Sequence, residues 1–589
     1  MASLSHPPSL TTYFPSSNSF LPKTKTLPNN ISPRIISCNT VNHNDQNTPK
    51  PKIDRRDILV GLSGLYGAST LYKNSNFALA APIQTPNISK CGPADLPPGA
   101  DSTNCCPPPA TRILDFQPPA QEKLRVRPAA HLVDKNYIEK YKKAVELMKA
   151  LPENDPRSFT QQANVHCAYC NGAYDQVGFP VEVQVHNSWL FFPFHRLYLY
   201  FHEKILGELI GDPNFALPFW NYDAPGGMRM PEMYAEEKSS LYDELRNENH
   251  VPPRLVDLDF GRVDPNIGDD AQIRSNLSIM YRQMVSNSRT PSLFFGSAYR
   301  AGDEPSPGGG SIENIPHGPV HVWCGDNNEP NGENMGNFYS AARDPIFYAH
   351  HSNIDRLWSV WKTLGGRRQD LQNPEWLNTS FIFYNEKAEA VRVRVRQSLD
   401  SKILGYVYQD VDVPWLQTRP TPRRAQKTVA NNNIILPFSI GPALAAGPSS
   451  SRVRPANIKF PITVKSAVSV EVKRPKKSRS KKEKEEEEEI LVIYGIGFDP
   501  NQGIKFDVFI NDEDDKEIRP DNTEFAGSFV NVPHKLGHKK TVKTGLRLGI
   551  TEILEDLEAD DDDSVRVTIV PRLGAGLFSI DGIKIVCDK

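Results

Sequence analysis

The chain has 589 residues and a formal net charge of −2, from 68 basic and 70 acidic residues. A chain of this length folds as two or three domains rather than one, and its balanced charge gives no sign of a nucleic-acid or acidic-polymer partner. The 51 prolines favour long loops and extended segments over a continuous helical bundle.

Two successive targeting patterns occupy residues 1–80. Residues 1–50 are rich in Ser, Thr, Pro and Asn and almost free of acidic residues, which is typical of an organelle transit peptide. Arg55-Arg56, the apolar run Ile58–Leu65 and the A-x-A site Ala78–Ala80 then form an export-type signal, whose apolar core is too short to span a bilayer. We expect import into a chloroplast, passage into the thylakoid lumen and a mature protein without stable membrane insertion. A disordered tail with a chance apolar patch is the alternative.

Eight cysteines are present, and one of them would leave with the transit peptide. Five fall early in the mature chain, at Cys91, Cys105, Cys106, Cys167 and Cys170. Such clustering suits disulfides that fasten a proline-rich arm in an oxidising compartment, although the spacing does not settle the pairing. The alternative is a zinc or redox site at the C-x-x-C of Cys167 and Cys170, but no second C-x-x-C and no βαβ pattern accompanies it.

Loops alternate with four helical segments between residues 81 and 420. Prolines break any periodicity over 81–130, and residues 212–315 are predicted to form long loops with short helices, ending in the flexible stretch Gly308–Gly310. Apolar spacing or a helix-starting proline predicts helices over 133–148, 193–210, 316–323 and 345–364.

The composition changes beyond residue 420. Residues 421–456 are polar, small and rich in Pro and Gly, which predicts a linker. Short apolar runs then predict strands at 458–464, 491–497, 504–510, 529–532, 565–570 and 583–586. Strands at this spacing favour a β-sandwich or jelly roll over residues 457–589. The charged runs Lys473–Glu489 and Asp560–Asp563 are interpreted as exposed loops.

Eight of the 14 histidines fall in two clusters. The first contains His166, His186, His195 and His202, and the second contains His317, His321, His350 and His351. No Asp or Glu stands at matching ligand spacing. Sets of imidazoles without carboxylates suit copper, and also zinc, better than magnesium or manganese.

Spacing within the second cluster is the more specific signal. His317 and His321 stand at i and i+4, so one helix face would project both toward a shared ion. His351 lies inside the fourth predicted helix, with Asp355 one turn later, and burying an imidazole there requires partners for both ring nitrogens. A metal and a hydrogen-bond acceptor supply those partners. A single histidine is more often a hydrogen-bonded core residue, but three on two helices predict a metal site.

Four motifs closely resemble those of the type-3 copper proteins, and specifically the plant polyphenol oxidases. They are Val165–Asn171, Val185–His195, His317–Asp326 and Asp344–Trp358, in this order. Val413–Leu416 and Lys505–Val508 extend the resemblance over most of the chain after Ala80. The resemblance implies a mainly α catalytic domain over 81–420, with a four-helix bundle around a dicopper site, and a β-rich shielding domain over 457–589.

Carried over residue by residue, the resemblance implies two sets of three copper ligands. These are His166, His186 and His195 for the first ion, and His317, His321 and His351 for the second. His350 is then a neighbour of a ligand rather than a ligand itself, and His202 is structural or supports the site from outside.

The resemblance also implies roles for the cysteines. Cys170 matches the cysteine that forms a thioether with the middle ligand of the first site, here His186. The implied disulfides are Cys91–Cys106 and Cys105–Cys167. At Cys324 we expect a buried, inert thiol.

Three further positions bear on catalysis. Phe338 matches an aromatic gate residue over the second copper, although its residue type alone would favour an ordinary core aromatic. Glu313 matches a carboxylate that positions a water near the site, and a charge at a helix N-terminus is the alternative. Gly318 stands where relatives that hydroxylate monophenols carry an Asn.

The implied reaction oxidises o-diphenols to o-quinones and reduces dioxygen to water, in a chain that stays latent until its last domain is removed. Small phenols and O2 are the implied partners, and the oligomeric state is not indicated. Because Gly318 offers no side-chain acceptor, a catechol oxidase is favoured over a tyrosinase. The alternatives are a tyrosinase, a haemocyanin-type oxygen carrier, against which the plastid-type signals argue, and more distantly a zinc hydrolase.

Overall fold

The structure is a computed structural model that describes residues 81–118, 123–260, 267–423, 458–512, 519–534 and 541–588. The predicted targeting signals and nearly all of the predicted linker lie outside the described residues. Residues Ala78–Lys589 form one unit, in which a helical part over 81–423 contacts a C-terminal sandwich over 458–588.

The helical part is built from three long helices and several shorter ones. They are α1 (Lys135–Lys149), α2 (Phe159–Cys170), α3 (Phe191–Leu209), α4 (Asp269–Tyr281), α5 (Pro291–Phe295), α6 (Gly318–Cys324), α7 (Ile346–Thr363) and α8 (Pro374–Asn378). One π-helical turn, Arg282–Ser286, follows α4, and another, Glu313–His317, precedes α6. Short 3-10 turns occur at Ile88–Lys90, Ala130–Leu132, Pro225–Gly227, Glu232–Tyr234, Glu248–His250, Ala341–Arg343, Val395–Gln397 and Pro414–Gln417.

The first helix shows how local sequence sets an element. The carboxylate of Asp134 accepts the backbone N–H of Tyr137 at 2.8 Å and caps α1. Tyr141, Val145 and Met148 recur at helical spacing and are fully buried, so α1 presents one apolar stripe to the core. The predicted segment 133–148 matches it closely.

The helix α2 was not predicted. Its residues from Gln162 to Cys170 are all buried. This part of the helix therefore lacks the alternation between an exposed polar face and a buried apolar stripe that a sequence pattern would reveal. The predicted helices at 193–210, 316–323 and 345–364 correspond to α3, α6 and α7. In the stretch expected to hold only short helices, α4 and its π-helical turn run over 18 residues.

Two small sheets tie the N-terminal arm to the chain after α8. The first has the order β1 (Ile113–Asp115), β4 (Ala390–Arg394), β3 (Ser380–Tyr384), and the second pairs β2 (Arg125–Arg127) with β5 (Tyr406–Tyr408). Both β1–β4 and β2–β5 are parallel. Disulfides join Cys91 to Cys106 and Cys105 to Cys167, so the arm is also fastened to α2.

The C-terminal part is a sandwich of two antiparallel sheets. One has the order β10 (Phe525–Asn531), β9 (Ile504–Ile510), β12 (Ser564–Leu573), β7 (Val468–Lys473). The other has the order β11 (Val542–Gly549), β8 (Glu488–Phe498), β13 (Phe578–Ile580), β6 (Ile462–Thr463), with β14 (Gly582–Asp588) also paired to β8. A shared apolar core lies between them. The predicted fold class, a mainly helical catalytic part followed by a β-sandwich, is confirmed.

One predicted loop is wrong. The charged run Lys473–Glu489 contains the helix α9 (Lys481–Glu486) and the start of β8. Glu489 is buried because the guanidinium groups of Arg474 and Arg479 lie 2.9 and 3.1 Å from its carboxylate. A short helix, α10 (Thr551–Asp556), packs beside them. Charge runs are usually exposed, and here pairing permits burial.

The C-terminal sandwich lies against the helical part where α6 begins. A Cβ built on Gly318 would lie 3.5 Å from Val530 and 3.5 Å from Val532. Among the described residues, no helix combines the length and apolar character needed to cross a membrane.

Candidate metal centre

The structure brings the clustered histidines together in two buried groups. The first group is His166, His186 and His195, and the second is His317, His321, His350 and His351. Within each group, one ligand atom from every residue lies within 4.8 Å of the others. The stacked rings of His195 and His351 are 4.2 Å apart, so the two groups adjoin and form one centre.

The first group draws on two helices and the loop between them. His166 lies on α2, His195 on α3, and His186 in the loop before α3. Their Nδ1 atoms face oxygen acceptors, at 3.1 Å for His166 with the Phe338 carbonyl and 2.8 Å for His195 with the Phe191 carbonyl. For His186 the acceptor is the side-chain oxygen of Gln184, at 3.2 Å.

Two members of the second group, His317 and His321, are held in the same way. His317 closes the π-helical turn before α6, and its Nδ1 lies 3.0 Å from the Glu313 carbonyl oxygen. The Nδ1 of His321 lies 2.8 Å from the Met335 carbonyl oxygen. His351, on α7, faces His321 with 3.2 Å between the two Nε2 atoms. The Nδ1 atom of His351 has no hydrogen-bond partner, and two neutral imidazoles whose Nε2 atoms lie this close can bind a common cation.

These hydrogen bonds fix where the ring protons are. Carbonyl and amide oxygens only accept, so the Nδ1 atoms of His166, His186, His195, His317 and His321 carry the hydrogens and their Nε2 atoms carry lone pairs. The Nε2 atoms of His166, His186, His195 and His317 have no hydrogen-bond partner. Buried lone pairs without partners are costly, and a metal ion satisfies them. This donor set therefore fits a metal.

Electrostatics agree with that assignment. Burial lowers the pKa of His195 to about 3 and the pKa of His321 to about 4, so both rings are neutral at physiological pH. Neutral imidazole is the form that binds a metal. Neither group contains a carboxylate, and an all-imidazole set suits copper or zinc.

Comparisons with known proteins decide between families. The chain matches three sequence families along its length: the common central domain of tyrosinase over residues 156–364, the polyphenol oxidase middle domain over 370–421, and the chloroplastic polyphenol oxidase C-terminal domain over 460–587. It is 59% identical over 562 residues to a chloroplastic polyphenol oxidase of Malus domestica, an alignment that covers 95% of this chain and 93% of that protein. The chain belongs to the plant polyphenol oxidase family.

Other relatives and solved structures agree with this family. Polyphenol oxidase A1, chloroplastic, of Vicia faba is 54% identical over 570 residues, covering 94% of this chain and 92% of that protein. The structure of latent apple tyrosinase is 60% identical with a TM-score of 0.74 and covers 81% of this chain and 100% of its own. A latent aurone synthase structure is 41% identical with a TM-score of 0.78 and covers 86% and 99% of the two chains.

Membership of this family confirms several predictions. The chain is a polyphenol oxidase, an oxidoreductase whose cofactor is a pair of copper ions, and the two histidine groups offer the donors that such a pair needs. Phenols and dioxygen are its substrates as a family member. The relatives are named chloroplastic, which supports chloroplast targeting.

Two further histidines of the polyphenol oxidase lie near the centre. His350 is buried, its ligand atom falls in the second group, and both its ring nitrogens lack hydrogen-bond partners. Its ring stacks on His317 at 5.4 Å. His202 belongs to neither group and instead stacks on Tyr348 at 3.6 Å.

Phe338, the predicted gate residue, lies against the first histidine group. Its ring stacks on His186 with 3.9 Å between centroids and lies 6.5 Å from His321. The Phe338 carbonyl also accepts from His166, so both its ring and its main chain contact the first histidine group, and its role as a gate stays a prediction.

Glu313 is buried beside both groups. Its carboxylate accepts the backbone N–H of Asn187, and its second oxygen, Oε2, has no partner. Burial raises the pKa of Glu313 well above its usual range, and backbone N–H groups of Asn187, Gly310 and Ser188 oppose that shift. A buried carboxylate with one free oxygen can hold a proton or a water.

The cysteines beside the centre are buried. Cys170 is a free thiol at the end of α2, and the Gln184 side chain bridges its carbonyl, at 2.8 Å, to the backbone N–H of His186, at 2.9 Å. Cys324 is also free and buried, and burial raises the pKa of its thiol.

The residue that sequence reasoning missed is His534. It comes from the C-terminal sandwich, is 1% exposed, and its ring lies 5.0 Å from that of Phe338. The Phe338 N–H donates to the Pro533 carbonyl at 3.4 Å. His534 stands outside both histidine clusters in the sequence, and only the packing of the two parts brings it to the centre.

Proposed function

We propose that this polyphenol oxidase is a catechol oxidase of the chloroplast thylakoid lumen. It converts two o-diphenols to two o-quinones while one dioxygen is reduced to two waters. The observation that carries the proposal is the convergence of neutral imidazole lone pairs, without a carboxylate ligand, in two adjoining groups.

Six histidines would hold the copper pair. The first ion belongs to His166, His186 and His195, and the second to His317, His321 and His351. When bound, the pair supplies electron transfer between the phenol and dioxygen. The chain's own contribution is to fix five of the six rings, all but His351, through Nδ1 hydrogen bonds, so that their lone pairs point inward.

The protein residues around the pair would handle orientation and protons. Phe338 offers an aromatic face beside His186 on which a phenol ring can stack. Glu313, with Oε2 free, would accept a phenol proton directly or through a water from its charged form, which the backbone N–H groups of Asn187, Gly310 and Ser188 favour against the effect of burial. Phe338 and Glu313 are therefore our catalytic assignments.

A thioether between Cys170 and His186 would lock one ring. The Gln184 bridge between Cys170 and His186 supports this assignment. Formation of the bond would remove one hydrogen from the thiol and one from the imidazole ring, with dioxygen, a substrate of this family, as the oxidant, so intact-mass measurement of the reduced, alkylated protein tests it. A mass that corresponds to a free, alkylated Cys170 would refute the link.

Latency would come from the C-terminal sandwich. We assign residues 81–420 to the catalytic domain, 421–456 to a linker and 457–589 to a shield. Support comes from the packing of Val530 and Val532 against Gly318 and of His534 against Phe338. Under this assignment these residues would cover the dicopper site, and a phenol would reach it only after they move.

Monophenol hydroxylation is the second candidate activity. One relative, 60% identical in its solved structure, is titled a tyrosinase. Against it, Gly318 provides no acceptor next to His317, and Glu313 would have to remove the phenol proton alone.

The deciding experiment uses copper-loaded protein, uncut and cut in the linker, with matched monophenol and diphenol substrates. We expect diphenol turnover that rises on cutting, with little monophenol turnover. Equal turnover of both would make the protein a tyrosinase, and reversible oxygen binding without turnover would make it a carrier. Unchanged activity after removal of the shield would refute latency.

A further inference from the structure

Glu313 contacts both halves of the metal centre, one through its main chain and the other through its side chain. Its carbonyl oxygen accepts from Nδ1 of His317 at 3.0 Å. Its carboxylate oxygen Oε1 accepts the backbone N–H of Asn187, the residue that follows His186. One residue therefore links a ring of the second group to the loop of the first.

Asn187 is held from a second side by the same segment. The Gly308 N–H donates to the Asn187 carbonyl at 2.8 Å. Asn187 has φ of 53°, in the left-handed region that residues other than glycine adopt at a cost. Both polar groups of its backbone are thus bound by the stretch from Gly308 to Glu313, and these contacts maintain the strained conformation.

The loop also fixes the carboxylate itself. A Cβ built on Gly309 would lie 2.9 Å from Oε2 of Glu313, so glycine is needed for the carboxylate to occupy its place. Backbone N–H groups of Gly310 and Ser188 also favour the charged carboxylate. Glu313 is 5% exposed, so water does not compete for these contacts.

We propose that Glu313 is a positioning residue that sets the spacing between the two copper-binding groups. The inference rests on the proposed function, in which each group holds one copper, and it adds a second role to the proton-holding role of the same side chain. Two-metal sites place their ions roughly 3.5–4 Å apart, and a supporting link that is loose by about 1 Å spoils such a site.

Three variants separate the two roles of Glu313. Glu313→Gln keeps an acceptor oxygen for the Asn187 N–H but removes the carboxylate charge. Glu313→Ala removes the acceptor. Gly309→Ala leaves Glu313 in place but presses on its carboxylate, and since φ at Gly309 lies outside the left-handed region, the backbone tolerates alanine.

The readouts are copper per chain, copper retention against a chelator, and the EPR signal of the oxidised full-length protein. Two Cu(II) ions that share a bridging ligand couple magnetically and give no EPR signal, whereas ions held apart each give one. We expect wild type and Glu313→Gln to bind two coppers without a signal. Glu313→Ala should show the signal and retain copper roughly 10–100-fold less tightly, and Gly309→Ala should fall between.

Two results would overturn the positioning role. One is an EPR-silent pair with wild-type copper retention in Glu313→Ala, and the other is a visible signal in Glu313→Gln, which would show that charge and not the hydrogen bond matters. If Glu313→Ala does not fold, Gly309→Ala decides, and a silent, tightly held pair there refutes the inference. Failure of the proposed function looks different, because wild type itself would then lack two coupled coppers.

Discussion

Two buried polar regions lie next to each other on the same pair of helices. His195 on α3 and His351 on α7 belong to the metal centre, while the adjacent Arg196 and, one turn on, Asp355 belong to a network of charges. In the centre the groups are neutral and several nitrogens lack partners. In the network the carboxylate of Asp355 pairs with the guanidinium groups of Arg127 and Arg196.

The network continues away from the metal centre. Glu203 lies 2.8 Å from Arg127 and 2.9 Å from Arg125, and the Tyr406 hydroxyl donates to Asp355 at 2.6 Å. These residues join α3 and α7 to the strands β2 and β5. Partners within the chain satisfy the charges of this region, whereas the lone pairs of the metal centre need a ligand from outside. This contrast distinguishes polar groups that are buried as part of the fold from polar groups that are buried to bind a ligand.

The largest effect should come from removing the copper. A chelator should abolish phenol oxidation and lower the melting temperature, because a ligand present at about 1,000 times its dissociation constant stabilises a fold by about 4 kcal/mol. Thermal unfolding with and without chelator, followed by readdition of copper, measures both effects. An unchanged melting temperature would mean that the imidazole lone pairs are satisfied without metal.

Replacing Asp355 should damage the fold whether or not copper is bound. Asp355→Ala leaves Arg127 and Arg196 buried without this carboxylate, and breaking such a pair costs about 3–5 kcal/mol. The free energy of unfolding should fall equally in copper-loaded and copper-free protein. A loss confined to the copper-loaded protein would place Asp355 with the metal centre instead.

The matched control for this variant is Asp115→Ala. Asp115 pairs with Arg392 at 2.8 Å, but the two side chains are 52% and 38% exposed. Exposed pairs contribute little, so the melting temperature should not change measurably.

A third polar region, at the boundary between the helical part and the sandwich, extends the comparison. Lys505 lies 3.0 Å from Asp259 of the helical part and 2.8 Å from Asp507 of its own sandwich. Asp259→Ala removes the link between the parts and leaves the pair within the sandwich. Truncating one partner of a buried charge pair at an interface costs roughly 2–5 kcal/mol, and we expect the lower end because Lys505 keeps Asp507.

The expected result for Asp259→Ala is higher diphenol turnover by the uncut chain, since the shield is held less firmly. Activity assays before and after cutting the linker measure it, with Asp269→Ala as control because its pair with Arg229 is exposed and within the helical part. Unchanged latency in Asp259→Ala would exclude this pair from shield docking.

Sequence patterns predict elements that carry an apolar stripe or a continuous apolar run, and they fail for elements that carry neither. The stripe on α1 and the spacing of His317 and His321 are visible in the chain, as are the apolar runs of several sandwich strands. By contrast, α2 has no polar face, and β1 pairs with β4 from more than 270 residues away. Neither the helix α2 nor the pairing of β1 with β4 produces a recognisable pattern among neighbouring residues of the sequence.

The metal centre, too, was predictable from the sequence only in part. Motif resemblance identified the six proposed ligand positions, but not their Nδ1 acceptors, which are mostly backbone carbonyls such as those of Phe338, Phe191 and Met335. Backbone groups carry no residue-type signal. The contact of His534 with Phe338 also arises from packing between distant parts of the chain.

Two neighbouring glutamates give the smallest and most discriminating test. Glu489 is paired with Arg474 and Arg479, as in the Asp355 network. Glu488 is also buried, but its nearest cation is the partly exposed Arg289 at 3.3 Å, and burial raises its pKa to about 7. Glu489 is thus a buried carboxylate with full charge pairing, and its neighbour Glu488 is a buried carboxylate without it.

For Glu488 the sign of the pH dependence follows from the raised pKa. The folded protein holds the Glu488 proton up to about pH 7, whereas an unfolded glutamate releases it near its usual pKa of 4.5. The stabilisation that this group contributes is therefore full below pH 4.5 and declines as the pH rises to 7, by at most about 3 kcal/mol.

Glu488→Gln should match wild type near pH 5 and be more stable at pH 8, as measured by melting temperature. Glu489→Gln should be less stable at both values, because it leaves two buried guanidinium groups without their carboxylate. If the melting temperatures of the two variants changed equally at both pH values, pairing with arginine would not explain a difference between Glu488 and Glu489.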